Sequence, residues 1–298
     1  MLVENTIFGI RDKVQISIER IKFAYDCAQQ RGLGALYVCF SGGKDSTVLA
    51  ELCRLAKEQY GVEYELHYNV TGIDPPELVY FMRENYPELH WEKYKKSMWQ
   101  LIKEKYGPPT RLMRYCCAEL KERGGEGRMC LTGVRHAESA RRKNTRTEFE
   151  VMANKPKDKI LFNDNDDGRL GFENCTLKRK LITNPIVDWE NEDVWEFIHQ
   201  QKLPYCKLYD EGFTRLGCIG CCMARPEQRR RDFSRYPKFE KAYLDAFDRA
   251  LKAMPHPEKC RWKTAQDIMD WWLADIDCDK PIDGQMSIFD NSTFLQGE

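Results

Sequence analysis

The sequence predicts an α/β fold: a doubly wound, mostly parallel sheet with a helical annex on its C-terminal side. Three observations carry this. Ala35-Leu-Tyr-Val-Cys-Phe40 is an unbroken apolar run, as expected of a strand buried on both faces of a parallel sheet. It runs straight into Ser41-Gly-Gly-Lys-Asp-Ser-Thr47, after which Val48, Leu49, Leu52, Leu55 and Ala56 recur at helical spacing as far as Gly61. Strand-like and helix-like segments then alternate, as they do where parallel strands are joined by crossover helices.

Taken in order, Val14, Ile18, Ile21, Tyr25 and Ala28 predict a helix over about Asp12 to Arg31. A strand is expected from Tyr64 to Val70, then a turn at Gly72 and Pro75-Pro76, then a helix ending near Tyr86-Pro87. Leu89 to Tyr94 reads as a short strand, Ser97 to Lys105 as a helix, and Met129 to Thr132 as a strand flanked by glycines. Asn154 to Asn174 is polar, with a turn at Asn163 to Gly168, and reads as an excursion or mobile loop. Asp188 to Trp195 looks like an acidic helix start, favoured by the macrodipole. Beyond Pro237, Phe239, Tyr243, Leu244, Phe247 and Leu251 line one helical face. Thr264-x-x-Asp267, a variant capping box, opens a last helix with Ile268, Trp271 and Trp272. The expected division is residues 1–235 for the α/β domain, 236–278 for the annex and 279–298 for a tail.

A chain of 298 residues can bury a sizeable core. Lys+Arg and Asp+Glu both total 47, so no overall basic excess advertises a nucleic-acid partner. Two local groups do: Arg141-Arg-Lys143 with Arg146, and Arg225 with Arg229-Arg-Arg231 and Arg235. Phosphate binding and a solvated helix face are both open for them. No apolar run of about 18 residues is present, which excludes a membrane span on this pattern. Met1-Leu-Val-Glu-Asn5 lacks a basic and an apolar signal region, so a cytoplasmic location is expected.

Thirteen cysteines are many for such a location, and the odd number argues against full pairing as disulfides. Cys27, Cys39 and Cys53 fall on apolar-periodic positions, where a thiol packs like a small hydrophobe. Cys116-Cys117 and Cys218-x-x-Cys221-Cys222 do not fit that description.

The strand, glycine loop and helix around Ser41 have a direct physical logic. Gly42 and Gly43 allow unusual dihedrals, so successive N–H groups can point at one anion. A helix beginning near Asp45 adds its positive end. Ser41, Ser46 and Thr47 offer hydroxyls and Lys44 a point charge. The spacing differs from the Gly-x4-Gly-Lys-Ser/Thr loop of ordinary nucleotide triphosphatases.

Ser41-Gly-Gly-Lys-Asp-Ser46 resembles the PP-loop of the N-type ATP pyrophosphatases. The likeness extends over about residues 30 to 240 to the phosphoadenylylsulfate reductase superfamily. Thr71-Gly-Ile-Asp-Pro-Pro-Glu77 resembles its Thr-Gly-x-x-x-Pro-Glu turn, with Val70 in place of the usual Asp and Asp74 as a substitute. Thr132-Gly-Val-Arg135, Glu138-Ser139, Arg141 and Arg142 resemble its Gly-x-Arg-x-x-Glu-Ser-x-x-Arg element. Asn184 to Trp189, Leu208-Tyr209 and Gly217-Cys218 match its later part. Cys116, Cys117, Cys218 and Cys221 are similar to the ligand set of its iron–sulfur members, with Cys206 and Cys222 as spare thiols.

The resemblance implies an adenine nucleotide alpha-hydrolase-like fold and cleavage of ATP to AMP and pyrophosphate, with Mg²⁺. It implies nucleotide contacts from Ser41, Gly42, Gly43, Lys44, Asp45, Ser46, Thr47, Gly133, Arg135 and Arg141, of which Lys44, Asp45 and Arg135 are the catalytic group. It implies a [4Fe–4S] cluster on the four cysteines, with Zn as the other metal four thiolates suit. The intact loop, together with the lack of a cysteine after Asp279, looks more like the ATP pyrophosphatases of DNA phosphorothioation than like a sulfonucleotide reductase. The expected partners are then a sulfur donor such as a cysteine desulfurase persulfide, a nucleic-acid substrate, and a sliding clamp through Gln285-Met-Ser-Ile-Phe289. Adenylylsulfate reduction, and a non-enzymatic nucleotide- or cluster-sensing module, are the alternatives.

Overall fold

The computed structural model describes residues 2–6, 9–152, 159–174 and 180–274. In chain order run β1 (Val3–Thr6), β2 (Gly9–Asp12), α1 (Lys13–Gln30), β3 (Leu36–Cys39), α2 (Lys44–Tyr60), β4 (Tyr64–Asn69), α3 (Pro76–Asn85) and β5 (His90–Glu92). Then come α4 (Met98–Glu104), α5 (Tyr115–Leu120), β6 (Met129–Leu131), α6 (Ala140–Thr145), β7 (Phe149–Met152), β8 (Ile160–Phe162), α7 (Asp166–Asn174) and β9 (Lys180–Thr183). The last are α8 (Asn191–Gln200), α9 (Pro226–Arg235), α10 (Pro237–Ala253) and α11 (Ala265–Leu273).

The chain forms two compact units, Met1–Tyr94 with Lys121–Gly217, and Lys95–Leu120 with Cys218–Glu298. This replaces the division expected at residue 235. Helix α4 packs along α10, so the segment around it joins the C-terminal helices across a long stretch of sequence. Periodicity along the chain does not report such a docking.

In the first unit β1 and β2 pair as a separate two-stranded sheet, and β3 to β9 form a seven-stranded sheet of order β5-β4-β3-β6-β9-β7-β8. The first five are parallel, and β7 runs antiparallel to both β9 and β8. From β3 the order goes outward to β4 and β5 on one side and to β6 and β9 on the other. The crevice at the carboxyl ends of β3 and β6 is therefore a topological switch point, where open α/β sheets place their ligands. The predicted mostly parallel α/β fold is the one observed.

Local chemistry explains the elements that lead to that crevice. Asp12 caps α1 by accepting from the N–H groups of Val14 (2.9 Å) and Gln15 (3.1 Å). Gly43 is the N-cap of α2, and Gly61 closes it in the left-handed conformation at φ 70°. Val48, Leu49, Leu52, Cys53 and Ala56 of α2 are buried in one core with Leu36 and Val38 of β3 and Ile18 and Ile21 of α1. Cys27 and Cys53 are core thiols as expected, at 2% and 0% exposure.

The polar stretch read as an excursion holds β8 and α7 instead. Phe172 of α7 is fully buried and packs on Phe149 and Phe23, which pins the helix to the core. Asp164 binds the buried Arg20 at 2.7 Å, and Arg20 also binds Asp188 at 2.8 Å. Asn154 to Asp158, the tail from Asp279 and the Gln285–Phe289 peptide lie outside the described residues.

The second unit is helical and aromatic. Ser97 and Gln100 form a capping box at the start of α4, and Thr264 and Asp267 form the expected one at α11. Tyr243 of α10 is fully buried, edge-on to Trp99 of α4 at 5.1 Å and tilted against Trp272 of α11 at 5.2 Å. The Trp272 indole donates to the Pro109 carbonyl at 2.9 Å, and the Tyr243 hydroxyl to that of Ile219 at 3.1 Å. These bonds tie the segments bearing both cysteine groups to the aromatic core. Among the described residues no helix is long and apolar enough to cross a membrane.

Candidate active site and thiol cluster

The loop after β3 leaves a set of donors without partners. Ser46 Oγ donates to the Gly43 carbonyl at 2.8 Å and accepts from the Ser41 N–H at 3.2 Å, closing the loop on itself. Ser41 Oγ lies 3.2 Å from the same oxygen. The N–H groups of Gly42, Gly43, Asp45 and Ser46 have no acceptor among the described residues. A run of N–H groups at a helix start has the chemistry to bind an anion. Gly42 adopts φ 72°, and a Cβ there would come within 2.8 Å of Leu78 and Met82. Gly42→Ala should accordingly destabilise the first unit by about 1–3 kcal/mol, read as a lower melting temperature.

The loop opens into a cavity of about 400 Å³, and the whole lining belongs to the first unit. It carries Lys44, Arg135, Arg142 and Arg215 against Asp45 and Glu138, a surplus of positive charge. Burial holds Lys44 below the ordinary lysine range, with Arg135 and Arg215 adding to this against the pull of Asp45. Arg142 is brought down to about 10, first by burial and then by the charges of Arg215 and Arg146. These cations are crowded together beyond what their carboxylates neutralise. A bound polyanion would relieve them.

Arg135, expected to contact phosphate, spends its donors on protein groups. Its guanidinium is fully buried, donating to Asp45 Oδ1 at 2.6 Å, the Trp189 carbonyl at 3.1 Å and Asn191 Oδ1 at 2.9 Å. It fastens the loop after β6 to the start of α2 and to the start of α8. Asp45 in turn lies 3.2 Å from Lys44 Nζ, so Arg135 positions Lys44 at one remove. Gly133 is needed for the same junction, since a Cβ there would sit 3.0 Å from the Asp45 backbone.

Other expectations divide. Ser41, Gly43, Lys44, Asp45, Ser46, Gly133 and Arg135 line the cavity, whereas Gly42 and Thr47 shape the loop from behind it. Arg141 is exposed; its neighbour Arg142 lines the wall, bound to Glu138. One residue of register on a short helix decides which arginine turns inward. Asp74 does not reach the cavity: it is buried under the hydroxyls of Tyr68 and Thr71 and shapes the turn after β4. Cys39, expected in the core, is partly exposed and lines the cavity. Thr214 and Arg215 were not expected; the only signal was their place just before Gly217-Cys218.

In the second unit, Cys116, Cys117, Cys218, Cys221 and Cys222 come together. Cys116 touches Cys117 and Cys222, Cys222 also touches Cys221, and Cys218 is near enough for its charge to act on Cys116. The hydrogen bond with Cys117 favours the Cys116 thiolate, but that with Cys222, burial and the neighbouring thiols outweigh it and push Cys116 up to about 12. Cys222 likewise rises to about 12: its bond with Cys116 lowers it, and its bond with Cys221 and burial raise it further. Gly220, at φ 67°, lets the Cys218–Cys221 turn pack on Phe233, where a Cβ would lie 2.7 Å from the ring. Among the described residues no group of three or more His, Cys, Asp or Glu side chains is arranged to hold a metal ion. The donor set itself fits a soft cation, because a metal's positive charge stabilises the very thiolates that burial and mutual repulsion oppose here. Cys206 is 1% exposed in the core of the first unit.

Residues 35–224 match the phosphoadenosine phosphosulfate reductase domain family. The chain belongs to that family. Within this PP-loop family of enzymes of sulfur metabolism, an adenosine 5'-phosphosulfate reductase of Staphylococcus epidermidis is 26% identical over 224 residues, or 71% of this chain and 79% of that protein. An uncharacterized protein of Methanocaldococcus jannaschii is 27% identical over 237 residues, or 78% of this chain. The chain spans only 52% of the length of that relative. The phosphate complex of the phosphoadenylyl-sulfate reductase from Candida auris is 18% identical, with a TM-score of 0.41, covering 65% of this chain and 87% of its own.

Proposed function

We propose that this reductase-domain protein is an ATP pyrophosphatase that adenylates a substrate so that sulfur can be inserted. The observation that carries this reading is the set of unpartnered N–H groups at Gly42, Gly43, Asp45 and Ser46, beside Lys44 in a cation-rich cavity. A substrate oxygen attacks the α-phosphorus of ATP, forming a P–O bond as the bond to the β-phosphate oxygen breaks. The pyrophosphate leaves into the loop, where the N–H groups and Lys44 meet its developing charge. Mg²⁺ arrives with the triphosphate. Arg142 and Arg215 face the remaining phosphate, and Asp45, held by Arg135, keeps Lys44 in place. The terminal sulfur of a donor's persulfide then attacks the adenylated centre, its new bond to that centre forming as the bond to AMP breaks, and a thiol reductant cleaves the remaining S–S bond, leaving with the donor sulfur as a disulfide.

Cys116, Cys117, Cys218 and Cys221 would hold the [4Fe–4S] cluster, with Cys222 competing for the fourth place. Bound there, the cluster supplies electron-transfer chemistry. Nucleic acid is the proposed substrate class, supported by the exposed Arg225, Arg230, Arg231 and Arg235 of the second unit. Arg229 is not part of that face: it is buried over the Trp272 ring at 5.1 Å.

The test is anaerobic purification followed by two measurements. Pyrophosphate release from ATP should appear with candidate nucleic-acid substrates; ATP left intact with every one of them rejects the reading. The absorption spectrum and metal content should show iron, lost in Cys116→Ser. Cys206→Ser should lower stability and leave the metal content alone. A second reading, thiol-dependent reduction of adenylylsulfate, is favoured by the named activity of the Staphylococcus epidermidis relative. It predicts sulfite release from adenylylsulfate in the same preparation.

A further inference from the structure

Tyr209 ends a single 3-10 turn, Lys207–Tyr209, and lines the cavity of the first unit. Its ring stands edge-on against Trp195 of α8 at 5.2 Å, so the hydroxyl is held in one place. That hydroxyl accepts the backbone N–H of Lys44 at 2.9 Å. Lys44 is the first residue of α2, and its N–H is one of the donors a helix start leaves unpaired. A Cβ on Gly43 would stand 3.4 Å from the same hydroxyl, so the phenol lies directly against the loop.

An oxygen that accepts at this position still has its own proton to give. No described residue accepts that proton. Burial raises the phenol above its ordinary range, so it stays protonated at neutral pH. Accepting from an N–H also polarises the O–H, as in any chain of hydrogen bonds.

We propose that Tyr209 is a pyrophosphate-binding residue: it takes the Lys44 N–H and donates its own proton to a phosphate oxygen in the loop. The helix's positive end is thereby extended outward by one hydroxyl. The hydroxyl lies against Gly43 and Lys44 on the wall of the same cavity that Arg142 and Arg215 line. This inference rests on the reading of the loop as the seat of ATP's leaving group. The contrary possibility is a plug, in which the phenol merely occupies an N–H that the anion needs.

Titration calorimetry with inorganic pyrophosphate in the presence of Mg²⁺, and separately with AMP, distinguishes these on the full chain. Tyr209→Phe keeps the ring on Trp195 and removes only the hydroxyl. Its pyrophosphate affinity should fall about tenfold or more, the loss expected of a hydrogen bond to a charged group, while AMP affinity is unchanged. Unchanged or tighter pyrophosphate binding overturns the inference and leaves the ATP reading standing. An equal loss for both ligands makes Tyr209 a structural residue and also overturns it. A wild-type protein that binds neither ligand removes the underlying reading, and the inference with it.

Discussion

Lys44→Met should lower the rate of pyrophosphate release by about 10²–10³-fold, the usual cost of removing one preorganised charge from a transition state. The same variant should melt no lower than the wild type. Burial and the charges of Arg135 and Arg215 disfavour the Lys44 ammonium in the ligand-free protein, so its pKa lies below that of the unfolded chain. A lysine with a lowered folded pKa costs stability below that pKa, and the cost fades as the pH rises through it. At neutral pH the substitution removes this cost along with the activity. Thermal unfolding and a coupled pyrophosphate assay on one preparation would show both. A large drop in melting temperature, or undiminished release, would contradict the role given to Lys44.

Arg135→Ala should do the opposite and act mainly on the fold. The guanidinium is buried and fully committed to Asp45, Trp189 and Asn191. Its removal leaves the Asp45 carboxylate and two polar acceptors without their donor. Breaking a buried pair in this way costs about 3–5 kcal/mol. For a unit of this size that corresponds to a melting point lower by roughly 10 °C. Pairing it with Asp45→Asn should restore part of the loss, because the orphaned charge is then gone; strict additivity of the two changes would show that the pair is not coupled. If Arg135 bound phosphate directly, Arg135→Ala would instead spare stability and weaken nucleotide binding.

Much of the α/β unit is legible from residue order. The apolar run before Ser41, the paired glycines and the helical spacing beyond them place β3, the loop and α2 within a residue or two of their observed bounds. The pieces missed are short and depend on neighbours. Strands β7, β8 and β9 have three or four residues each, too few to display a period. Helix α7 is polar by composition and forms because Phe172 finds a ring-lined pocket and Asp164 finds Arg20.

The sequence by itself determined the strand–glycine loop–helix unit around Ser41 and a mostly parallel sheet, since each rests on adjacent residues or on spacing along one element, whereas the meeting of Cys116 and Cys117 with Cys218, Cys221 and Cys222 spans about a hundred residues and needed the fold. Tertiary structure alone decided that Arg142 and not Arg141 faces the cavity, that Arg135 is a buried clamp, and that Arg215 and Tyr209 reach the loop from far along the chain. It also decided that residues 95–120 fold with the C-terminal helices. The reason is the same in each case: a side chain's partner at long sequence separation is chosen by which surfaces can be buried together, and no local pattern encodes that choice.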